Sequence, residues 1–151
     1  MSLRRDLEEL SRLDAREWAD LAVCWMVVPA IGLGLWACGL QAMRRRLATS
    51  TRPTTLVDEA TIRRLSQMPR WISIAARRSP WRAKCLTRSL ALQWILRRHG
   101  MESDLRLGVR REGAVVLAHA WIDCAALPGL DPAAQASGYA AFPDLEAGGT
   151  R

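Results

Sequence analysis

The stretch VVLAHAWID, residues 115–123, is the most strand-like run in the chain. Strand alternation puts Leu117, His119 and Trp121 on one face and Ala118 and Ala120 on the other. The two small alanines leave their face low enough for another element to pack close against it. Just before this run stand LRLGV, residues 105–109, and the turn signal Arg111-Glu112-Gly113, so an antiparallel hairpin is predicted. Further upstream, CLTRSLALQWILRRHG, residues 85–100, reads as a helix ending near Arg98 with Gly100 as its C-cap. A helix followed by a hairpin is an α+β arrangement.

The N-terminal half has a different texture. Leu3, Leu7, Leu10 and Leu13 recur at helical spacing between charges, which predicts an amphipathic helix over residues 3–19. LAVCWMVVPAIGLGLWACGL, residues 21–40, carries no charge and is followed by Arg44, Arg45 and Arg46. The preferred reading is a pair of shorter buried helices broken at Pro29; the alternative is a segment that contacts or spans a membrane. Residues 48–55 read as a polar linker, and Val57–Met68 as a helix that stops before Pro69. The segment after Asp123 is rich in Ala, Gly and Pro, and predicts a short third strand or loop before a loosely ordered tail. The organisation expected is therefore a helical region over 1–70, a core over 71–135 and a flexible tail over 136–151.

With 151 residues, half of them hydrophobic, the chain can bury a core of ordinary single-domain size. Twenty-two Lys and Arg against fifteen Asp and Glu leave a formal charge of +7, which favours an acidic partner. Nucleic acid is not expected as that partner, because the arginines are scattered in pairs and only one Tyr and one Phe are present for stacking. The four cysteines lack CxxC spacing and follow no secretory signal, which argues against a disulfide framework or a zinc site and for reduced thiols in a cytoplasm. No metal or cofactor is implied.

Cys85 and His119 are the candidate chemical pair. The first turn of a helix offers N–H groups without helical partners and the positive end of the dipole, conditions that prepare a cysteine as a nucleophile. His119 could serve as its base if the helix lies across the strand face that bears the imidazole, and a carboxylate behind the ring would set the tautomer. Asp123 shares that face but lies about 13 Å along the same strand. Asp131, beyond the Pro128-Gly129 turn, is the preferred acid, with Asp123, Asp144 or no acid as alternatives. Cys24 and Cys38 read as packing residues, and Cys124 faces away from His119. His99 reads as a cation at a helix C-terminus, and Trp25, Trp36, Trp71 and Trp94 as core or interface residues.

KCLTRSLALQWILRRHGMESDLRLGVRREG followed by LAHAWID resembles the transglutaminase-like cysteine peptidases of lasso-peptide biosynthesis, which remove the leader from a ribosomally made precursor. The resemblance covers roughly residues 80–124 and rests on three pieces in order: Cys with RSLAL on one helix, the LRLGVR strand, then AHAW. It implies a transglutaminase-like or papain-like core with Cys85 as nucleophile, His119 as general base and acid, and Asp131 as third member. CAALPGLDPAAQ stands where the family has a short Gly turn, so the acid is the departure from the pattern. The Cys85 backbone N–H is the implied oxyanion donor.

With only helices expected in residues 1–70, the chain resembles the split form, whose leader-recognition module is a separate protein. The partners implied are the precursor peptide, that leader-recognition protein and the ATP-dependent macrolactam synthetase that closes the ring. The location implied is cytoplasmic, with membrane contact through residues 21–40 as the alternative. The competing function class is a non-catalytic adaptor or membrane-associated scaffold in which Cys85 and His119 are merely packed.

Overall fold

A computed structural model describes residues 14–48, 57–79, 84–131 and 138–142. The fold is α+β: among the described residues four helices, α1 (Ala15–Ala48), α2 (Glu59–Ser66), α3 (Met68–Arg78) and α4 (Cys85–Arg98), precede a three-stranded antiparallel sheet of β1 (Asp104–Glu112), β2 (Val115–Asp123) and β3 (Ala140–Ala141). The strand order is β2-β1-β3, so β2 is an outer strand. Helix α4 is the hub, packing against α1, α3 and both long strands. It is buried nearly all round, including Leu90, Ala91, Ile95 and Leu96, and this is the pattern of a central helix.

Among the described residues helix α1 starts at a capping box: the Glu17 N–H donates to Asp14 Oδ1 at 2.7 Å and the Asp14 N–H to Glu17 Oε2 at 3.0 Å. Residues 3–13 of the expected amphipathic helix lie outside the described residues. The expected break at Pro29 is corrected. The helix passes through Pro29 and breaks instead at Gly39, with φ 74° and ψ 174°. Proline costs the helix one hydrogen bond and a bend, whereas a positive φ is readily available only to glycine. The two arms fold together there, because Met43 Cε occupies the space that a side chain at Gly34 would need.

By length and composition α1 could cross a membrane, its most apolar window having a mean hydropathy of 2.0, but it is also a core helix on one side. Leu21, Cys24, Val28 and Ile31 point inward and are buried. Burial in this apolar setting, with the Asp20 charge adding to it, pushes the Cys24 thiol up to about 12, which fits the packing role read from the sequence. Asp20 is buried and paired with Arg64 of α2, whose Nε lies 2.8 and 2.9 Å from the two carboxylate oxygens.

The Val57–Met68 helix appears as α2 over Glu59–Ser66, and α3 starts at once with Pro69 in its first turn, where a proline has no helical hydrogen bond to lose. Helix α4 ends as read: the Gly100 N–H donates to Arg97 O and the Met101 N–H to Leu96 O, both at 3.0 Å, around a Gly100 φ of 76°. These are the paired bonds of a Schellman cap. His99 beside it is exposed; loss of some hydration, then the nearby Arg64 charge, partly offset by Asp20, lower its pKa from the ordinary histidine value.

The predicted hairpin forms, with Glu112 opposite Val115, Gly108 opposite His119 and Asp104 opposite Asp123 around a tight turn at Gly113. Within the segment expected to be a tail, residues 138–142 carry β3, because Ala140 and Ala141 pair with Val109 and Gly108. Gly108 has to be glycine. A Cβ there would lie 2.7 Å from the Ala140 carbonyl and 2.8 Å from the Trp121 ring.

The buried Asp20 yields a stability prediction. Arg64→Ala leaves an uncompensated carboxylate in the core, so it should lower unfolding stability in urea by about 2–3 kcal/mol. Asp20→Asn, which removes the buried charge itself, should cost less.

Candidate active site

Cys85 is the first residue of α4, and the N-cap Lys84 makes no side-chain hydrogen bond to that first turn. One turn further on, the buried Ser89 Oγ donates to the backbone carbonyl of Ala120 in β2 at 2.8 Å. This bond ties the start of α4 to the outer strand beside His119. Close approach depends on Ala120, which is only 2% exposed and faces the helix.

This arrangement corrects one geometric expectation. The sheet face that packs on α4 carries Leu105, Leu107, Ala120 and Ile122, not His119. By alternation His119 stands on the opposite face with Trp121. Because β2 is an outer strand, a side chain from its far face can still border a cavity that opens along the strand edge. Cys85, His119 and Asp131 all line one such cavity of about 330 Å³, together with Ile72, Leu92 and Ile122 and the basic Arg70 and Arg88.

Asp131 reaches that cavity from a loop rather than from a neighbouring strand. After β2 the chain turns, with the Leu127 N–H donating to Cys124 O at 3.0 Å and Gly129 at φ 83°. Leu127 and Leu130 are buried and anchor the loop. Asp131 Oδ2 then lies 2.9 Å from His119 Nε2. A carboxylate at Nε2 holds the N–H of the neutral imidazole at that nitrogen, which leaves the Nδ1 lone pair to accept a proton. Asp123 is engaged elsewhere, in an exposed pair with Arg106 Nε at 3.2 Å. Asp144 lies outside the described residues.

Two further groups hold the imidazole in place. Trp121 stacks on it at 6.2 Å between centroids with an interplanar angle of 15°, and Tyr139 lies against it at 5.2 Å. Arg110 covers the Tyr139 ring at 5.3 Å. Ser89 and Tyr139 were missed in the sequence. The signal for Ser89 was its place one helical turn after Cys85; Tyr139 carries no local signal, since only the pairing of β3 with β1 brings it near His119.

Residues 25–143 match the family model of the transglutaminase-like superfamily, well over half of the chain. The chain belongs to the transglutaminase-like superfamily. No curated protein and no solved structure matches it. The transglutaminase-like match begins within α1 and ends just past β3, so it takes in every residue of the cavity described above. A domain of this superfamily is compatible with cysteine peptidase chemistry.

Ser89→Ala would leave the Ala120 carbonyl without its partner and should destabilise the fold by about 1–3 kcal/mol, read from chemical unfolding. A variant as stable as the parent would show that the helix is held on β2 by apolar packing alone.

Proposed function

We propose that the protein is a cysteine peptidase that removes the leader from a ribosomally made lasso-peptide precursor, with Cys85, His119 and Asp131 as its catalytic residues. The observation that carries this reading is one cavity lined by a cysteine at a helix N-terminus, an imidazole, and a carboxylate 2.9 Å from that imidazole. The transglutaminase-like family supports the chemistry, and the ordered motifs RSLAL, LRLGVR and AHAW support the lasso-peptide substrate.

In the proposed reaction, Cys85 Sγ attacks the carbonyl carbon of the leader–core peptide bond while its proton passes to His119 Nδ1. The oxyanion is received by the backbone N–H of Cys85 in the first turn of α4. His119 then gives the proton to the departing core amine as the C–N bond breaks, leaving the leader as a thioester on Cys85. A water molecule, deprotonated by His119, attacks the thioester and releases the leader carboxylate and the free thiol. Asp131 keeps the ring oriented and stabilises its protonated form. The freed core amine is the nucleophile for ring closure by an ATP-dependent macrolactam synthetase, and a separate leader-recognition protein delivers the precursor. The formal charge of +7 suits an acidic leader or partner.

Incubation of the encoded precursor with this protein and the leader-recognition partner, followed by mass spectrometry, should show one cut that Cys85→Ala abolishes. Asp131→Asn should slow the same cut by about 10²–10⁴-fold, because the wrong tautomer then faces the thiol. A cut that survives Cys85→Ala would overturn the assignment, and transfer of the leader to an added amine would make the reaction acyl transfer. A second readout distinguishes an enzyme from an adaptor. A small alkylating reagent at neutral pH should label Cys85 before the buried Cys24 and Cys124, and His119→Ala should slow that labelling.

A further inference from the structure

Helix α1 has a second apolar face that no element of the described fold covers. Trp18, Val23, Trp25, Met26, Leu33 and Trp36 are all exposed, Trp36 at 85%. At 100° per residue these side chains fall within an arc of about 160°, and from Trp18 to Trp36 the stripe is about 27 Å long. No charged residue interrupts it between Asp20 and Arg44. An exposed apolar stripe of this extent marks an interaction surface.

A groove of about 690 Å³ runs along one border of the stripe, walled by Val28, Leu33, Leu35 and Trp36 of α1 and by Leu86 of α4. The exposed Lys84 lines the same groove, and the exposed Arg78 lines a smaller adjoining cleft with Trp25. The apolar face is thus bordered by cations, with no carboxylate among the residues lining either recess.

We propose that this face of α1 seats the protein on an anionic lipid bilayer, lying in the plane of the surface with Arg78 and Lys84 at the headgroup level. Two observations favour lipid over an extended peptide. Apart from indole N–H groups, the stripe offers nothing to pair with the open backbone groups of an extended peptide, whereas acyl chains need no such partner. Indoles beside an apolar face with cations along its border also match the composition of an interfacial helix. Spanning is ruled out for the fold as it stands, because the opposite face of α1 is packed on α3 and α4 and holds the Asp20–Arg64 ion pair. The surface is separate from the Cys85 cavity, so this assignment stands or falls independently of the peptidase reading.

Flotation of the full chain with vesicles tests it directly. At low salt the protein should float with phosphatidylglycerol-containing phosphatidylcholine vesicles and show a blue shift of its tryptophan emission. High salt should weaken that binding. Leu33→Ser with Trp36→Ser, at exposed positions that leave the core intact, should lower the bound fraction about tenfold or more. Arg78→Glu with Lys84→Glu should reduce binding to the anionic vesicles to the level seen with pure phosphatidylcholine. A wild-type chain that does not float, or flotation unchanged by the Leu33 and Trp36 substitutions, would overturn the proposal. So would a concentration-dependent oligomer, without vesicle binding, that the same two substitutions convert to monomer, since the face would then join copies of this chain.

Discussion

The hydrogen bond from Ser89 to the Ala120 carbonyl is the constraint on which the arrangement of the site depends. It is possible only because alanine stands at position 120, where a larger side chain would hold the helix away from the strand. It also settles which parts of two elements meet: the first turns of α4 and the outer edge of β2. An outer strand presents backbone carbonyls with no neighbouring strand to donate to them. Here the helix that supplies Cys85 satisfies one of them, so covering the sheet edge and positioning the proposed nucleophile are the same act of packing.

His119 and Asp131 are brought together by a different device. A long-range β pairing is not needed, because the loop after β2 is short, is closed by a turn and is pinned by the buried Leu127 and Leu130. The aspartate therefore returns to the strand that it has just left, twelve positions after the histidine. On the far side the ring is walled by Trp121 and Tyr139, and Gly108 makes room for the indole. Imidazole, carboxylate and aromatic walls come from three separate parts of the chain, yet each is held by backbone geometry rather than by a flexible side-chain reach.

Much of this was legible in the sequence, and the limits have physical causes. Helix α4, its Gly100 cap and the hairpin were readable because helical spacing, a C-capping glycine and strand alternation are local signals. The triplet Cys85, His119 and Asp131 was named, and the structure brings all three to one cavity. The packing face stayed a condition, because alternation says which residues share a side but not which side the helix will choose. Helix α3 was not named, although Met68, Trp71, Ile72, Ala75 and Ala76 follow a helical period and are all buried; Pro69 was taken as a stop when it is also a good first-turn residue. The break in α1 was sought at Pro29 and lies at Gly39, since a proline bends a helix that packing can still hold together. Tyr139 was invisible because only a two-residue strand pairing brings it to the histidine.

Helix α1 also shows why composition alone could not decide between core and membrane. The uncharged block was read as one or the other, yet the helix has two apolar sides with different surroundings. The side with Leu21, Cys24, Val28 and Ile31 is covered by protein, and the covering begins at the Asp20–Arg64 pair, a polar group no bilayer interior would welcome. The side with Trp18, Trp25, Met26, Leu33 and Trp36 is left bare. Hydropathy averages over both sides, so the block scores as a span whatever its neighbours are. What separates the two readings is the angular position of each side chain around the axis, and that follows from which helices pack against α1, a tertiary fact no window of sequence contains.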